Sequence, residues 1–232
     1  MSGGGRRPAE IVEEAAEHLV DVVKPRLRGW LHAGTFPLAV VGGIVLVALS
    51  PSGQARTTTA IFSVTAALLF GISGLYHRGK WSPRAHATLM RLDHASIFLI
   101  IAGTYTPFTV LLLPDQTART LLWIVWVGAV LGVAFRVLWV GAPRWLYTPV
   151  YLALGWVAAL YLPEFFSAGG AAVLLLIMAG GALYSIGGVV YALRRPNPSP
   201  RWFGFHEVFH ALTLAAFTTH YIAVFLVART TA

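Results

Sequence analysis

Apolar residues run in long blocks along this chain, broken by short polar stretches. Seven blocks, at about residues 31–49, 57–76, 89–112, 120–140, 147–163, 172–192 and 205–227, mostly approach the ~20 residues that a helix needs to cross a bilayer. The fifth is the shortest. Between them stand Ser50-Pro51-Ser52-Gly53, Leu113-Pro114-Asp115, Gly141-Ala142-Pro143-Arg144 and Arg195-Pro196-Asn197-Pro198-Ser199-Pro200, which are turn signals. Ahead of the blocks, Ile11, Ala15, Leu19 and Val22 form one helical stripe opposite Glu10, Glu13, Glu14, Glu17 and Asp21, and Pro25 ends the pattern. The pattern predicts an all-α membrane protein: a bundle of seven transmembrane helices preceded by a short amphipathic helix. Its expected parts are a disordered N-terminus (1–8), an amphipathic helix with its lead-in (9–30), the seven-helix domain (31–228) and a short tail (229–232). No internal repeat and no second domain are visible.

Composition supports the membrane reading, with 57% hydrophobic residues, 11% charged residues and a mean hydropathy of +0.70. The formal charge of +8 would suit nucleic acid if it were gathered on one soluble face. It is instead dealt out to alternate loops. Arg6, Arg7, Lys24, Arg26 and Arg28 precede the first block; Arg78, Lys80, Arg84 and Arg91 follow the second; Arg136 and Arg144 flank the fourth turn; Arg194, Arg195 and Arg201 precede the last block. The other side holds only Arg56, Arg119 and Arg229, so the positive-inside rule puts the N-terminus in the cytoplasm and the C-terminus outside. Nucleic acid is therefore not an expected partner. Residues 1–30 show no h-region or cleavage site, so the first span is expected to direct insertion. The chain has no cysteine, which leaves histidine and carboxylate as the ligands open to a transition metal.

Candidate chemistry starts at the mouth of the last block, where His206 and His210 stand four apart and thus on one side of a helix, roughly 5–6 Å from each other. The alternating topology brings other polar groups to the same depth: Ser73 and His77 at the end of the second span, Asp93 and His94 at the start of the third, and His32 at the start of the first. Three imidazoles and a water make an open zinc arrangement, and a carboxylate such as Asp93 suits the proton of that water. Ser73, one turn before His77, could donate a hydrogen bond there. His220, ten residues beyond His210 and so about 15 Å along the helix, is too far to join and is expected to be a hydrogen-bonded residue deep in the bundle. His18 and His86 read as solvated. The glycine pairs 180–181 and 187–188 suit close helix contact, and the tryptophans suit packing or interfacial anchoring.

Several motifs in combination give the chain a family resemblance: Arg28-Gly29-Trp30-Leu31-His32-Ala33-Gly34, Ser73 four residues before His77, Arg91-Leu92-Asp93-His94 through Ala102-Gly103-Thr104-Tyr105-Thr106-Pro107-Phe108, and His206-Glu207-Val208-Phe209-His210. From Lys24 onward the chain resembles the bacterial haemolysin III family, within the progestin and adipoQ receptor superfamily. That resemblance implies seven helices, a cytoplasmic N-terminus and a zinc ion held by His77, His206 and His210, with Asp93 and Ser73 as the carboxylate and serine of the same motif. It also implies a bacterial plasma-membrane protein, in keeping with two Lys against fifteen Arg. Some eukaryotic relatives look like ceramide hydrolases, and the alkaline ceramidases share the residue pattern. The expected function is thus a zinc-dependent hydrolase of a lipid amide or ester, with a membrane lipid as substrate in an intramembrane cavity. Two readings compete. His206-Glu207-x-x-His210, taken as a zincin motif, would make Glu207 the general base of an intramembrane protease, although Glu207 points about 100° away from His206 around the helix. Alternatively, structural zinc would tie spans two and seven together in a membrane sensor, receptor-like, channel-like or lytic protein. A fourth ligand such as His32 or His94 would favour that last reading.

Overall fold

The computed structural model describes residues 25–139 and 141–230. The expected disordered N-terminus and the amphipathic helix, with His18, lie outside these residues. Among the described residues the regular elements are all helical: α1 (Trp30–Leu49), α2 (Gln54–Arg78), α3 (Pro83–Leu112), α4 (Asp115–Leu138), α5 (Arg144–Trp156), a 3₁₀ turn (Val157–Tyr161), α6 (Leu162–Leu193) and α7 (Phe205–Thr230). Local chemistry sets the starts: Ser82 caps α3 by accepting from the Ala85 N–H, with Pro83 as the first helical residue, and Pro114 opens α4.

Six stretches in the described residues are long and apolar enough to cross a membrane: α1, α2, α3, α4, Trp145–Leu193 and α7. The chain is a multi-pass helical membrane protein. The fifth stretch covers both the fifth and sixth expected blocks in 49 residues, and it is not one straight rod. It loosens at the 3₁₀ turn and breaks at Gly170, whose φ of 73° no helix contains. After the break, α6 returns antiparallel to α5, with the Tyr147 and Tyr191 hydroxyls 3.2 Å apart and Trp156 Nε1 donating to Ser185 Oγ at 2.8 Å.

Consecutive helices α1 to α4 pack as antiparallel neighbours, as do α6 and α7; α7 then closes the bundle against α1, α2 and α3. Phe62, Phe70, Phe98, Leu121, Val125 and Val224 fill the interior, while Leu38, Trp123, Leu160 and Leu175 are each at least 68% exposed. An apolar surface over an apolar core is stable only where lipid is the solvent. Inside, hydroxyls satisfy themselves on their own helices, as when Thr59, Thr106 and Thr213 donate to carbonyls four residues back. Gly180 meets the expectation of close helix contact, because a Cβ there would collide with the His220 ring on α7.

Candidate metal centre

The site lies where α2 ends and α7 begins. His77 occupies the last turn of α2, with Ser73 one turn before it; His206 and His210 occupy the first two turns of α7; Asp93 comes from α3 and His32 from the first turn of α1. His77, His210, Ser73 and His32 are buried, and His206 is half-buried. Each of His77, His206 and His210 offers a ring nitrogen within 4.8 Å of the others, and among the described residues this is the group of His, Asp and Glu able to hold a metal ion. The Nε2 atoms of His77 and His206 are 3.1 Å apart. Two imidazole nitrogens bound to one tetrahedral zinc would be separated by about 3.3 Å, so the pair already stands at ligand spacing. The His210 ring centroid is 4.4 Å from that of His206 and 5.3 Å from that of His77, and its buried Nδ1 has no hydrogen-bond partner. The donor set of three imidazoles without thiolate suits zinc or another borderline divalent ion.

Around these ligands the other expected residues sort by geometry. The Asp93 carboxylate comes within 3.8 Å of His77 Nε2, with the Ser73 hydroxyl beside it. His94 turns elsewhere: Nδ1 donates to the Met90 carbonyl at 2.7 Å, and Nε2 lies 3.4 Å from the Tyr191 hydroxyl. His32 stacks flat on His210, with ring centroids 3.7 Å apart and an interplanar angle of 9°. Neither His32 nor His94 enters the ligand group. Glu207 is fully buried and also outside it: its carboxylate accepts from Arg28 Nε and, at 2.8 Å, from the Gly204 N–H. A carboxylate committed to a guanidinium and to a backbone amide is a poor proton acceptor for a water at the histidines. His86 is exposed, and His220 donates from Nε2 to the Ile177 carbonyl at 3.1 Å deep in the bundle.

A cavity of about 150 Å³ opens against this cluster. His32, Ser73, Asp93, His206 and His210 line one end, while Leu69, Ile97, Ile100, Ile101 and Leu152 make the walls apolar. A second cavity of about 60 Å³ adjoins the first, and Thr104, Tyr105, Gly155, Trp156, Gly181 and His220 line both. The polar rim includes residues that sequence patterns do not single out. Tyr151 donates to the His94 carbonyl at 3.2 Å and Tyr147 meets Tyr191; behind this rim, outside the cavity lining, the buried Arg136 guanidinium sits 4.2 Å from the Tyr147 ring centre. The four-residue spacing of Tyr147 and Tyr151 is the one signal the sequence holds for them, and aromatic residues at helical spacing more often mean packing.

A multi-pass helical membrane protein with three histidines gathered at one end of an internal cavity is the class that fold and site define. Residues 20–221 match the family described as haemolysin-III related, and the chain belongs to that family. It is similar to Hemolysin-3 of Bacillus cereus, 31% identical over 64% of this chain and 68% of that protein. The Hemolysin-3 homolog of Bacillus subtilis (strain 168) is 33% identical, covering 68% of this chain and 73% of the relative. The monocyte to macrophage differentiation factor of Homo sapiens is 24% identical over 84% and 80% of the two chains, in keeping with the wider superfamily.

Proposed function

We propose that this protein is a zinc-dependent hydrolase of a lipid amide or ester, acting at the cytoplasmic side of the membrane. The observation that carries the proposal is the joining of two features in one space: a three-histidine metal-binding group and an apolar cavity that starts at it and runs into the bundle. His77, His206 and His210 would hold the ion, which supplies Lewis acidity and an acidified water when bound. Asp93, within 3.8 Å of His77 and hydrogen-bonded to Ser73, would be the carboxylate that takes a proton at the site, and the Ser73 hydroxyl, which lines the cavity, would turn to a substrate carbonyl. Leu69, Ile97, Ile100 and Ile101 offer the chain of a lipid an apolar path, while its polar head stays near the histidines.

The same proposal includes seven spans. Counting α5 and the 3₁₀ turn together, 18 residues rise about 30 Å, the thickness of the hydrocarbon, and their antiparallel pairing with α6 suits a separate crossing. With an odd number of spans and the basic loops inside, the N-terminus is cytoplasmic and the C-terminus extracytoplasmic. The test is hydrolysis of long-chain amides and esters by detergent-purified protein, with zinc measured on the same samples. Zinc-dependent release of a fatty acid is the expected result; metal binding without turnover of any amide, ester or peptide would leave a sensor or lytic role with structural zinc.

A further inference from the structure

The metal reading leaves unexplained the segment just before α1. Pro25–Gly29 folds as a turn across the end of the bundle where the histidines lie, and it touches both ligand-bearing helices. Its backbone pairs with the loop leading into α7: the Arg26 N–H donates to the Arg201 carbonyl at 3.0 Å, and the Leu27 N–H to the Trp202 carbonyl at 3.2 Å. Arg26 lies 4.7 Å from the Trp202 ring centre. From the same turn, Arg28 Nε donates to the buried Glu207 carboxylate, whose other oxygen holds the Gly204 N–H. Glu207 is the immediate neighbour of His206.

Gly29 faces the other ligand helix. It has a φ of 79°, and a Cβ placed on it would stand 2.5 Å from His77 Cβ and 3.3 Å from Arg78 Cγ. Both conditions demand glycine: the left-handed backbone, and a chain that rests directly on His77. Arg78 completes the contact with its guanidinium 4.0 Å from the Trp30 ring centre. One short turn thus grips α7 beside His206 and α2 at His77.

We propose that Pro25–Gly29 is a clasp that sets the metal site, with Arg28 (through Glu207) and Gly29 (through contact with His77) as positioning residues for the ligands on α7 and α2. An ion bound by residues on separate helices rewards their prior alignment, and groups supporting the ligands commonly change metal affinity about 10- to 100-fold when removed. Arg28 and Glu207 act as one unit, since losing Arg28 leaves the buried Glu207 carboxylate with the Gly204 N–H but no counter-charge, and losing Glu207 leaves the half-buried Arg28 guanidinium without its carboxylate. This inference rests on the three-histidine metal reading, and it assigns Glu207 a role other than general base.

The test is metal affinity, read by chelator competition with Zn²⁺ and by the visible absorption of Co²⁺-loaded protein, on full-length protein in detergent. Arg28→Gln, Glu207→Gln and Gly29→Ala should each weaken binding at least about 10-fold and alter the Co²⁺ spectrum. The Arg28→Gln, Glu207→Gln pair should be no worse than the weaker single variant, and Arg28→Lys should recover part of the loss. Melting of the metal-free samples controls for folding. Variants that melt earlier without metal yet bind with wild-type affinity and spectrum would overturn the clasp. Wild-type protein that binds neither ion would overturn the metal reading itself and the clasp with it, a failure visible in the wild-type protein alone.

Discussion

His77, His206 and His210 differ from His220 in what their ring nitrogens face. The first three offer nitrogens to a common point, whereas His220 is committed to the Ile177 carbonyl on α6. Replacing any one of the three with alanine should remove bound zinc, while His220→Ala should leave it; elemental analysis of purified variants decides, and full zinc in a His206→Ala, His210→Ala double variant would refute the assignment. Asp93 invites a finer test. Asp93→Asn should keep the metal yet lose about 10²- to 10⁴-fold in turnover, because an amide cannot accept the proton, and Ser73→Ala should lose less. Wild-type rates in Asp93→Asn would remove Asp93 from the mechanism. The histidine spacing and the alternation of loops bring five histidines to one depth in the sequence, His32 and His94 among them, and the family resemblance is what singles out His77, His206 and His210. The distinction between His206 and its neighbour Glu207 is only partly legible there: helix rotation separates the two, but the Arg28 partner that occupies Glu207 comes from 179 residues away.

At the scale of elements, α5 and α6 show where reading by pattern runs out. The apolar block at 147–163 predicts a single helical span, but α5 ends at Trp156 and continues as a 3₁₀ turn. Tyr105 on α3 holds that change: its hydroxyl donates to the Gly155 carbonyl at 2.7 Å and accepts from the Ala158 N–H at 2.6 Å. No local signal announces a partner 50 residues away. The adjacent glycines of α6 likewise look alike in sequence and differ in space, since Gly180 is pressed on the His220 ring while a Cβ on Gly181 would meet nothing within 4 Å. Gly180→Leu should therefore destabilise the bundle by about 1–3 kcal/mol through overpacking. Gly181→Leu should fold normally, but its side chain would enter the space that Gly181 borders in both cavities. If that space takes the lipid chain, Gly181→Leu should lose activity on long chains before short ones; equal loss on both would place the chain elsewhere.

For the whole molecule, a metal held between α2 and α7 would bind the closed bundle and not the separated helices. Zinc at about 100 times its Kd should stabilise the fold by about 2.7 kcal/mol, seen as a higher melting temperature that a chelator reverses. Topology has its own test: reporter fusions should place residue 1 and the Arg78–Arg91 loop in the cytoplasm and Ala232 outside. A cytoplasmic C-terminus would mean that α5 does not cross. Membrane residence, the helical class and the positions of most spans were determined by the sequence alone, because lipid demands long apolar segments whose backbone bonds close within one helix. A separate one-dimensional rule, the bias of basic residues to cytoplasmic loops, gives the expected side of each span end that the fusions test. Only the tertiary structure decided that α5 and α6 double back within one 49-residue stretch, that His94 and Glu207 are held by other partners, and that a cavity begins at the histidines. These depend on which side chains from distant segments meet, and hydrophobic periodicity carries the face of a helix but not the identity of its neighbour.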